Sequence, residues 1–598
     1  MKPAIVILDP AALPLARRIA AATGGEVHGP AGRAGVDSTF TSAMERLDSL
    51  FRAGVPVIGI CAAGILIRGV AACLSDKRQE PPVIAVSADG SHVVPLLGGH
   101  RGANALAQDV AAATGGEAAI TTAGETRLGL ALDAPPSGWS LANPEDAKGV
   151  MARLISRGGA HIVGEWPFDP ASRPPEGEDV VLMATERAAE GGATMLVYHP
   201  QRFVLGIGAA RNCPTDELET LLAETLQEAD LAPGALACIA TLDLKADERA
   251  ILEVAEHLGL SVRLFDAAAL EQQTPRLANP SDVVFQEVGC HGVAEAAALA
   301  MAGAKASLIV PKRKSANATV AIARTDDFID PASAGRALGH LHVIGIGPGM
   351  SDWRTPEAGR LIAAADEVVG YDLYLDLVAG LAPAAKRTTF PLGQETERCA
   401  YALEQAGKGR NVALISSGDA GIYAMAALVE ELVADGQVSD AASRVPVKVA
   451  PGISALQAAA ARVGAPLGHD FCTISLSDLL TPWSAIEGRV RAAAEGDFVI
   501  AFYNPVSRRR RTQLADARAI LLQHRPADTP VVLASNLGRL EEQVRVTTLA
   551  DLRVDDVDML TLVLVGASST RTRTAQGRTR VFTPRGYAAK RPLEGQST

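Results

Sequence analysis

Residues 341–349 read LHVIGIGPG, and the reading of this stretch decides the fold. An apolar run passes straight into glycines at 345, 347 and 349, which is how a buried strand ends in a tight loop. Glycine there removes the Cβ that would keep a ligand off the backbone, and it permits positive φ. Taken alone the turn is also compatible with a dinucleotide-binding loop. Against that, Pro348 follows the second glycine, and no helix opens inside the motif to receive a phosphate on its N-terminus. Comparable strand-end loops recur at FVLGIGAA (from Phe203), SSGDAGIY (416–423), APGISALQAAA (450–460) and FYNPVSRRRR (502–511).

Outward from this stretch the same rhythm fills the chain. Short apolar runs such as AIVIL (4–8), PVIGI (56–60), VALIS (412–416) and DFVIAFY (497–503) alternate with Ala/Leu-rich helical periods. That alternation predicts a multidomain α/β protein with mainly parallel sheets covered on both faces. The 598 residues suffice for roughly four units at about 150 residues each. The rhythm fails from Leu132 to Asp179, where proline and glycine accumulate, and again at DDFIDPASAGRALGH (326–340). These breaks predict an N-terminal α/β domain (1–130), a connecting region (131–200), a second α/β domain (201–326), a linker (327–340), two lobes (341–452 and 453–572) and a frayed basic tail (573–598).

Composition excludes several classes. With 48% hydrophobic and 21% charged residues the chain is globular, and its net charge of −12 gives no support to nucleic-acid binding. Seven cysteines without CxxC spacing indicate neither a disulfide framework nor a zinc ribbon, and they fit a reducing, cytoplasmic compartment. The N-terminus lacks the pattern of a signal peptide. The stretch 55–67 stops at Arg68, short of the roughly 20 apolar residues that span a bilayer, and reads as strand, turn and helix.

The order GIGPG, SSGDAGIYAMA, GAPLGHDFCTISLSDLLTPW, DFVIAFYNP and NLGRLEEQVRVTTL over residues 341–570 resembles the tetrapyrrole methylases, and within them the precorrin-3B C(17)-methyltransferase group of cobalamin biosynthesis. The resemblance implies a two-lobed class III fold with S-adenosylmethionine in the cleft. It also implies methylation at carbon 17 of a tetrapyrrole with ring contraction, and a homodimer. Carried over by motif, Pro348 closes the first loop on the cofactor. Asp419, Gly421 and Ile422 lie at its amino-acid and ribose end, Ser454 and Ala455 line it, and Asn504 and Gly538 meet the adenine side. Read without the family, Asp419 is equally a helix cap. The Arg508–Arg511 run is either a solvated face or a patch for the carboxylates of the macrocycle, with Arg508 and Arg509 as candidates. His469 and Asp470 are either a structural pair or, with Glu397, candidates for the base that ring contraction needs. Where the family has a GNSST-like turn, Gly566–Thr570 reads GASST, without the Asn amide.

In the N-terminal half, AAGILIRG (62–69), DKRQEPPVIAVSADG (76–90) and GGHRGAN (98–104), with FVLGIGAARNCPTDEL, VGCHGVAEAAALAMAG and TVAIAR further on, resemble the cobalt-precorrin-5A hydrolase family over residues 1–325. The implied activity opens a lactone on a contracted ring and releases acetaldehyde. His100, Arg101 and Asn104 sit on a glycine loop ahead of a helix, where they could hold a lactone carbonyl or bind a metal axially, or merely face solvent. Arg68 is a candidate carboxylate partner or a surface residue. Cys290-His291, without further ligands, makes a poor metal site, and Arg211, Asn212, Thr215 and Glu295 fall on strand-end loops without an assigned role. Two rival readings are a non-catalytic corrin carrier in the N-terminal half and a dinucleotide-dependent oxidoreductase.

Overall fold

The computed structural model describes residues 2–32, 34–74, 80–121, 130–382, 385–507, 510–575 and 577–587, without the side chains of His100 and Ala575. Among them the first sheet has the order Ser38–Phe40, Glu26–Pro30, Ala4–Ile7, Val57–Ile60, Val83–Val86, His92–Leu97, Glu117–Ala118. Its strands are parallel up to Val83–Val86, which pairs antiparallel with His92–Leu97. As the sequence predicts, the 55–67 stretch is a strand, a turn and the helix Ala63–Val70. Among the described residues no helix is long and apolar enough to cross a membrane.

The expected connecting region is folded. Strands Trp139–Leu141, His161–Val163, Val181–Ala184 and Met195–Pro200 form a sheet that packs with the helix Ala147–Arg157. Trp139, Val150, Leu154, Leu182 and Tyr198 belong to its own apolar core. A third sheet takes strands Phe203–Ala209, Leu236–Leu242 and Val262–Phe265 in parallel, with Ala318–Arg324 and Ser307–Lys314 antiparallel at one side. The expected linker contributes Arg336–Ala337 to its other edge.

In the C-terminal half, the strand His340–Gly345 lies inside a fully parallel sheet with Asn411–Ser416, Val447–Ala450, Glu367–Gly370 and Lys386–Thr389. Its alternation explains why it is buried on both faces: Leu341 and Val343 enter one core, Ile344 the other. The last large sheet corrects the expectation of parallel strands. Phe471–Ser475 and Val499–Tyr503 are parallel, but Pro530–Ser535, Gln543–Thr548 and Thr561–Val565 join antiparallel. The start of the expected frayed tail is a hairpin, Arg571–Ala575 with Arg578–Phe582, extended by Gly464–Ala465. Residues 588–598 lie outside the described residues.

Two contacts tie the halves together. Arg46 Nη1 and Ser49 Oγ of the helix Ala43–Arg52 donate to the Gly380 carbonyl at 3.1 and 2.9 Å. Arg444 Nη1, just past the helix Asp440–Ser443, faces the Asp247 carboxylate at 3.4 and 3.5 Å.

Candidate functional site

The carboxyl ends of the parallel strands of the first lobe bring three loops together. Gly347, at φ +76°, and Gly418, at φ +69°, exchange backbone hydrogen bonds of 3.1 and 2.8 Å, so GIGPG and SSGDAG form one bridge. A Cβ on Gly452 would lie 2.0 Å from the Gly418 carbonyl oxygen, and one on Gly345 would lie 2.7 Å from that same oxygen. These glycines therefore serve the approach of loop to loop. Asp419 braces the assembly: one carboxylate oxygen accepts Gly421 N–H at 2.8 Å, the other Gly452 N–H at 3.0 Å. Beneath them Ser416, at the carboxyl end of its strand, has a buried hydroxyl without a hydrogen-bond partner.

The APGIS loop runs into the helix Ala455–Val463, capped by Ser454 in a full capping box with Gln457. Ser454 is buried at the helix N-terminus, Ala455 is the first helical residue, and the Leu456 N–H donates to Tyr503 Oη at 3.2 Å. Burial pushes the Tyr503 phenol up from its ordinary value. Its ring lies 5.4 Å from that of Tyr423, whose hydroxyl donates to the Thr473 carbonyl at 3.0 Å and so ties SSGDAGIY to the second lobe. Asn504, at φ +49°, donates to Ser475 Oγ at 3.2 Å. Arg510 bonds the Asn504 carbonyl and Ser477 Oγ, both at 3.1 Å.

A second closure joins the GPGM and NLGRL loops. Gly538 has φ +69°, a Cβ on Gly349 would lie 2.6 Å from its carbonyl oxygen, and Arg539 Nε donates to the Pro348 carbonyl at 3.1 Å. Gly538 N–H in turn meets Glu542, which pairs with Arg462 at 2.6 Å. That pairing, chiefly through its hydrogen bonds, holds the Glu542 carboxyl below the usual carboxylate range. Beside this closure opens a cavity of about 760 Å³, bordered by Met350, Leu373, Leu377 and Leu540, by the cationic Arg462 and Arg539 and by the acidic Glu541 and Glu542. Its apolar side chains suit a flat ligand, and Arg539 offers a guanidinium to a carboxylate, Arg462 being paired with Glu542.

The structure thus gathers Pro348, Asp419, Gly421, Ser454, Ala455, Asn504 and Gly538 on interlocked loops, with Ile422 half-buried beside Tyr423. It separates His469 and Asp470 from them. Both are exposed, 3.1 Å apart, and precede Phe471–Ser475, at the end of that strand opposite Ser475 and Asn504. A five-residue strand sets the two ends roughly 16 Å apart. Glu397 is exposed in the first turn of the helix Glu395–Gly407, which follows the carboxyl end of Lys386–Thr389. Arg508 and Arg509 lie outside the described residues. Tyr423 and Arg539 stood inside the quoted motifs, but nothing in their spacing announced bonds across the cleft, nor did that of Arg510 announce its bonds within the second lobe. No helix opens within GIGPG either. The first α-helix after it starts at Pro356, which removes the dinucleotide mechanism.

In the N-terminal half, Gly98 and Gly102 both have positive φ around the turn Gly99–Arg101. Arg101 is exposed, Asn104 is buried in the following helix Ala103–Thr114, and the side chain of His100 lies outside the described residues. Arg68 is exposed on its helix, directed at the Gly64 carbonyl at 3.4 Å. Glu295 is wholly engaged within the fold, accepting from the backbone of Ala278, Asn279 and Lys312 and from the Asn279 amide. Arg211 pairs with Asp247 at 2.6 Å, and Thr215 with Glu253 at 2.5 Å. Asn212 has φ +57°, a turn position.

The family model of the tetrapyrrole (corrin/porphyrin) methylases matches residues 340–553. A probable cobalt-factor III C(17)-methyltransferase of Salmonella typhimurium is 48% identical over 247 residues, 41% of this chain and 99% of that protein. The chain belongs to the tetrapyrrole methylases. A precorrin-3B C(17)-methyltransferase of Sinorhizobium sp is 43% identical over 251 residues, 42% of this chain and 98% of that methylase. Outside the methylase part, models of the cobalamin synthesis G N-terminal and C-terminus regions match residues 45–125 and 203–323. Among solved structures, the methyltransferase CobJ has 40% sequence identity, covering 41% of this chain and all of that one, with a TM-score of 0.38.

Proposed function

We propose that the C-terminal half transfers a methyl group from S-adenosylmethionine to carbon 17 of a precorrin-3B-type tetrapyrrole and contracts the ring. We propose further that the N-terminal half opens the lactone that later appears on the contracted macrocycle. The observation that carries the first part is the cleft itself, where loops of both lobes lock together over an apolar cavity rimmed by Arg462 and Arg539. Tetrapyrrole methylases are dependent on S-adenosylmethionine. The residues present fit such a ligand: Ser416 offers a buried hydroxyl with no partner among the described residues, and Gly421, on the loop that follows its strand, is exposed.

Bound in this cleft, S-adenosylmethionine supplies an electrophilic methyl group on a sulfonium. Transfer by in-line displacement needs orientation more than acid–base help. In this reading the bridged Gly347 and Gly418 loops, held by Asp419, set the cofactor's position. Tyr423 and Tyr503 wall the cleft between the lobes, while Arg539 meets a carboxylate of the macrocycle and Arg462 stays paired with Glu542. Ring contraction calls for a base. Glu397, at the carboxyl end of the first-lobe sheet, suits that role better than His469 and Asp470 at the far end of the second sheet.

The test incubates the purified chain with S-adenosylmethionine and the trimethylated precursor, with and without cobalt, and reads the product by mass. A gain of one methyl with a contracted ring is the expected result, and an unaltered precursor in both arms would sink the reading. Acetaldehyde released from cobalt-precorrin-5A tests the N-terminal half. Binding of that compound without release would favour the carrier alternative.

A further inference from the structure

The carboxyl ends of Phe203–Ala209, Leu236–Leu242 and Val262–Phe265 face one way, and ligands of open α/β sheets bind at such ends. The long segment after Val262–Phe265 holds a histidine of unusual setting. His291 Nδ1 lies 2.9 and 3.0 Å from the two carboxylate oxygens of Glu271, the last residue of the helix Ala267–Glu271, and the His291 backbone N–H donates to the same carboxylate at 3.0 Å. The hydrogen bond from His291 is the main cause holding the Glu271 carboxyl below its usual range. The ring stacks on Phe285 at 4.4 Å and is only 25% exposed.

With Nδ1–H given to the carboxylate, the imidazole is fixed in one tautomer and Nε2 presents its lone pair outward. Its nearest charged neighbour there, Asp282, is 3.6 Å away, beyond a direct hydrogen bond, and its side chain is 98% exposed. Two other His–Glu pairs, His161–Glu176 and His257–Glu219, involve histidines more than half exposed, 56% and 65%, without an aromatic stack. Phe285 and Val283 beside His291 are exposed apolar side chains, a surface on which a flat macrocycle can rest.

We propose that His291 is the general base of a lactone-opening site in the N-terminal half, with Glu271 as its positioning residue and Phe285 as a platform for the tetrapyrrole. The inference rests on the hydrolase reading above. His291 Nε2 takes a proton from water as the water oxygen bonds to the lactone acyl carbon. The acyl carbon–oxygen bond of the ring ester then breaks, and the departing alcohol oxygen receives the proton from Nε2. Water and lactone give a hydroxy acid. Its freed hydroxyl then gives up its proton as the carbon–carbon bond from the carbinol carbon to the ring breaks, that carbon leaving as acetaldehyde and the electron pair passing to the conjugated macrocycle. Water is the only other reactant consumed.

The test uses the full chain with cobalt-precorrin-5A, reading acetaldehyde release beside methyl transfer. His291→Asn should lower release about a hundredfold, the scale of a lost general base, with methyl transfer unchanged. Glu271→Gln should lower kcat for release about tenfold with KM unchanged, and Glu271→Asp, which keeps the carboxylate, should recover part of the loss. Asp282 and Cys290, the other titratable groups against the ring, remain in every variant. Wild-type release in His291→Asn, or a wild-type kcat in Glu271→Gln, would overturn the inference while leaving the hydrolase reading in place. No release from the wild-type chain would overturn both.

Discussion

The methylase cleft and the contacts between the two halves solve the same problem, holding separate segments in register, by opposite means. In the cleft, backbone meets backbone: Gly345, Gly418 and Gly452 approach so closely that no side chain fits between them. Between the halves, charge meets charge or carbonyl: Arg211, Asp247 and Arg444 on one side, Arg46 and Ser49 on Gly380 on the other. Burial, with the charges of Arg211 and Arg444 nearby, pushes the Lys245 ammonium down from its ordinary value beside the first of these contacts. The difference teaches where each can tolerate change. A backbone closure is rigid and fails through sterics; a charged contact is adjustable and fails through pH and salt.

The steric closure should break most sharply at Gly452→Ala. The new methyl meets backbone atoms of Gly418 and Gly345 at 2.0–2.7 Å, none of them able to swing away. We expect strain of about 3 kcal/mol, the upper range for overpacking, and loss of measurable S-adenosylmethionine binding by calorimetry. Gly359→Ala, in the helix Pro356–Ala363, is the control, since its methyl would meet nothing within 4 Å. Equal affinities in the two variants would show that the loops are not locked.

The polar contact at Gly380 should fail with acid. Arg46 Nε and Nη2 both donate to Nδ1 of the buried His28, at 3.0 and 2.8 Å, and burial, followed by the Arg46 charge, lowers the His28 pKa to about 4. The unfolded chain binds the extra proton first, so this contribution is complete above pH 6.5 and is lost as the pH falls from 6.5 through 4. It amounts to on the order of 3 kcal/mol. The melting transition of the N-terminal half should drop steeply over that window, and His28→Gln should flatten the dependence. A wild-type melting temperature constant from pH 7 to 5 would remove His28 from the account.

Between these extremes lies Asp419→Ala. Two backbone N–H groups lose their acceptor, a cost of about 1–2 kcal/mol. Cofactor affinity should fall about tenfold as the SSGDAG and APGIS loops loosen, with the melting temperature lowered by a few degrees. Unchanged affinity with lowered stability would make Asp419 a brace and nothing more.

Much of the cleft was legible because its loops follow apolar runs that can only be buried strands, and because glycine and proline mark where those strands end. Strand direction was not legible. LVLV at 562–565 looks the same in either orientation, and only the observed antiparallel pairing with Phe502 and Leu533 distinguishes them. The unit at 131–200 was hidden for a related reason. Its strands are three to six residues long, and its core is assembled from Trp139, Leu154 and Tyr198, which no local period connects. The placement of His469 was not legible either, because a motif shows which residues share a segment but not at which end of a strand they fall.

The smallest effect, and the finest test of the contrast, is at Arg444. Its pairing with Asp247 is 3.4 Å long and 37% open to solvent on the carboxylate side, and Arg211 already holds that carboxylate at 2.6 Å. Such a pair is worth about 0.5 kcal/mol or less. In a double-mutant cycle of Arg444→Ala and Asp247→Ala, the coupling should be of that size at low salt. It should vanish near 1 M salt, where screening acts over about 3 Å. The Gly452→Ala defect should be indifferent to the same change, because a clash of backbone atoms carries no charge to screen. A coupling that survives high salt would mean that the two halves are joined by packing, and that the distinction between cleft and seam is one of degree.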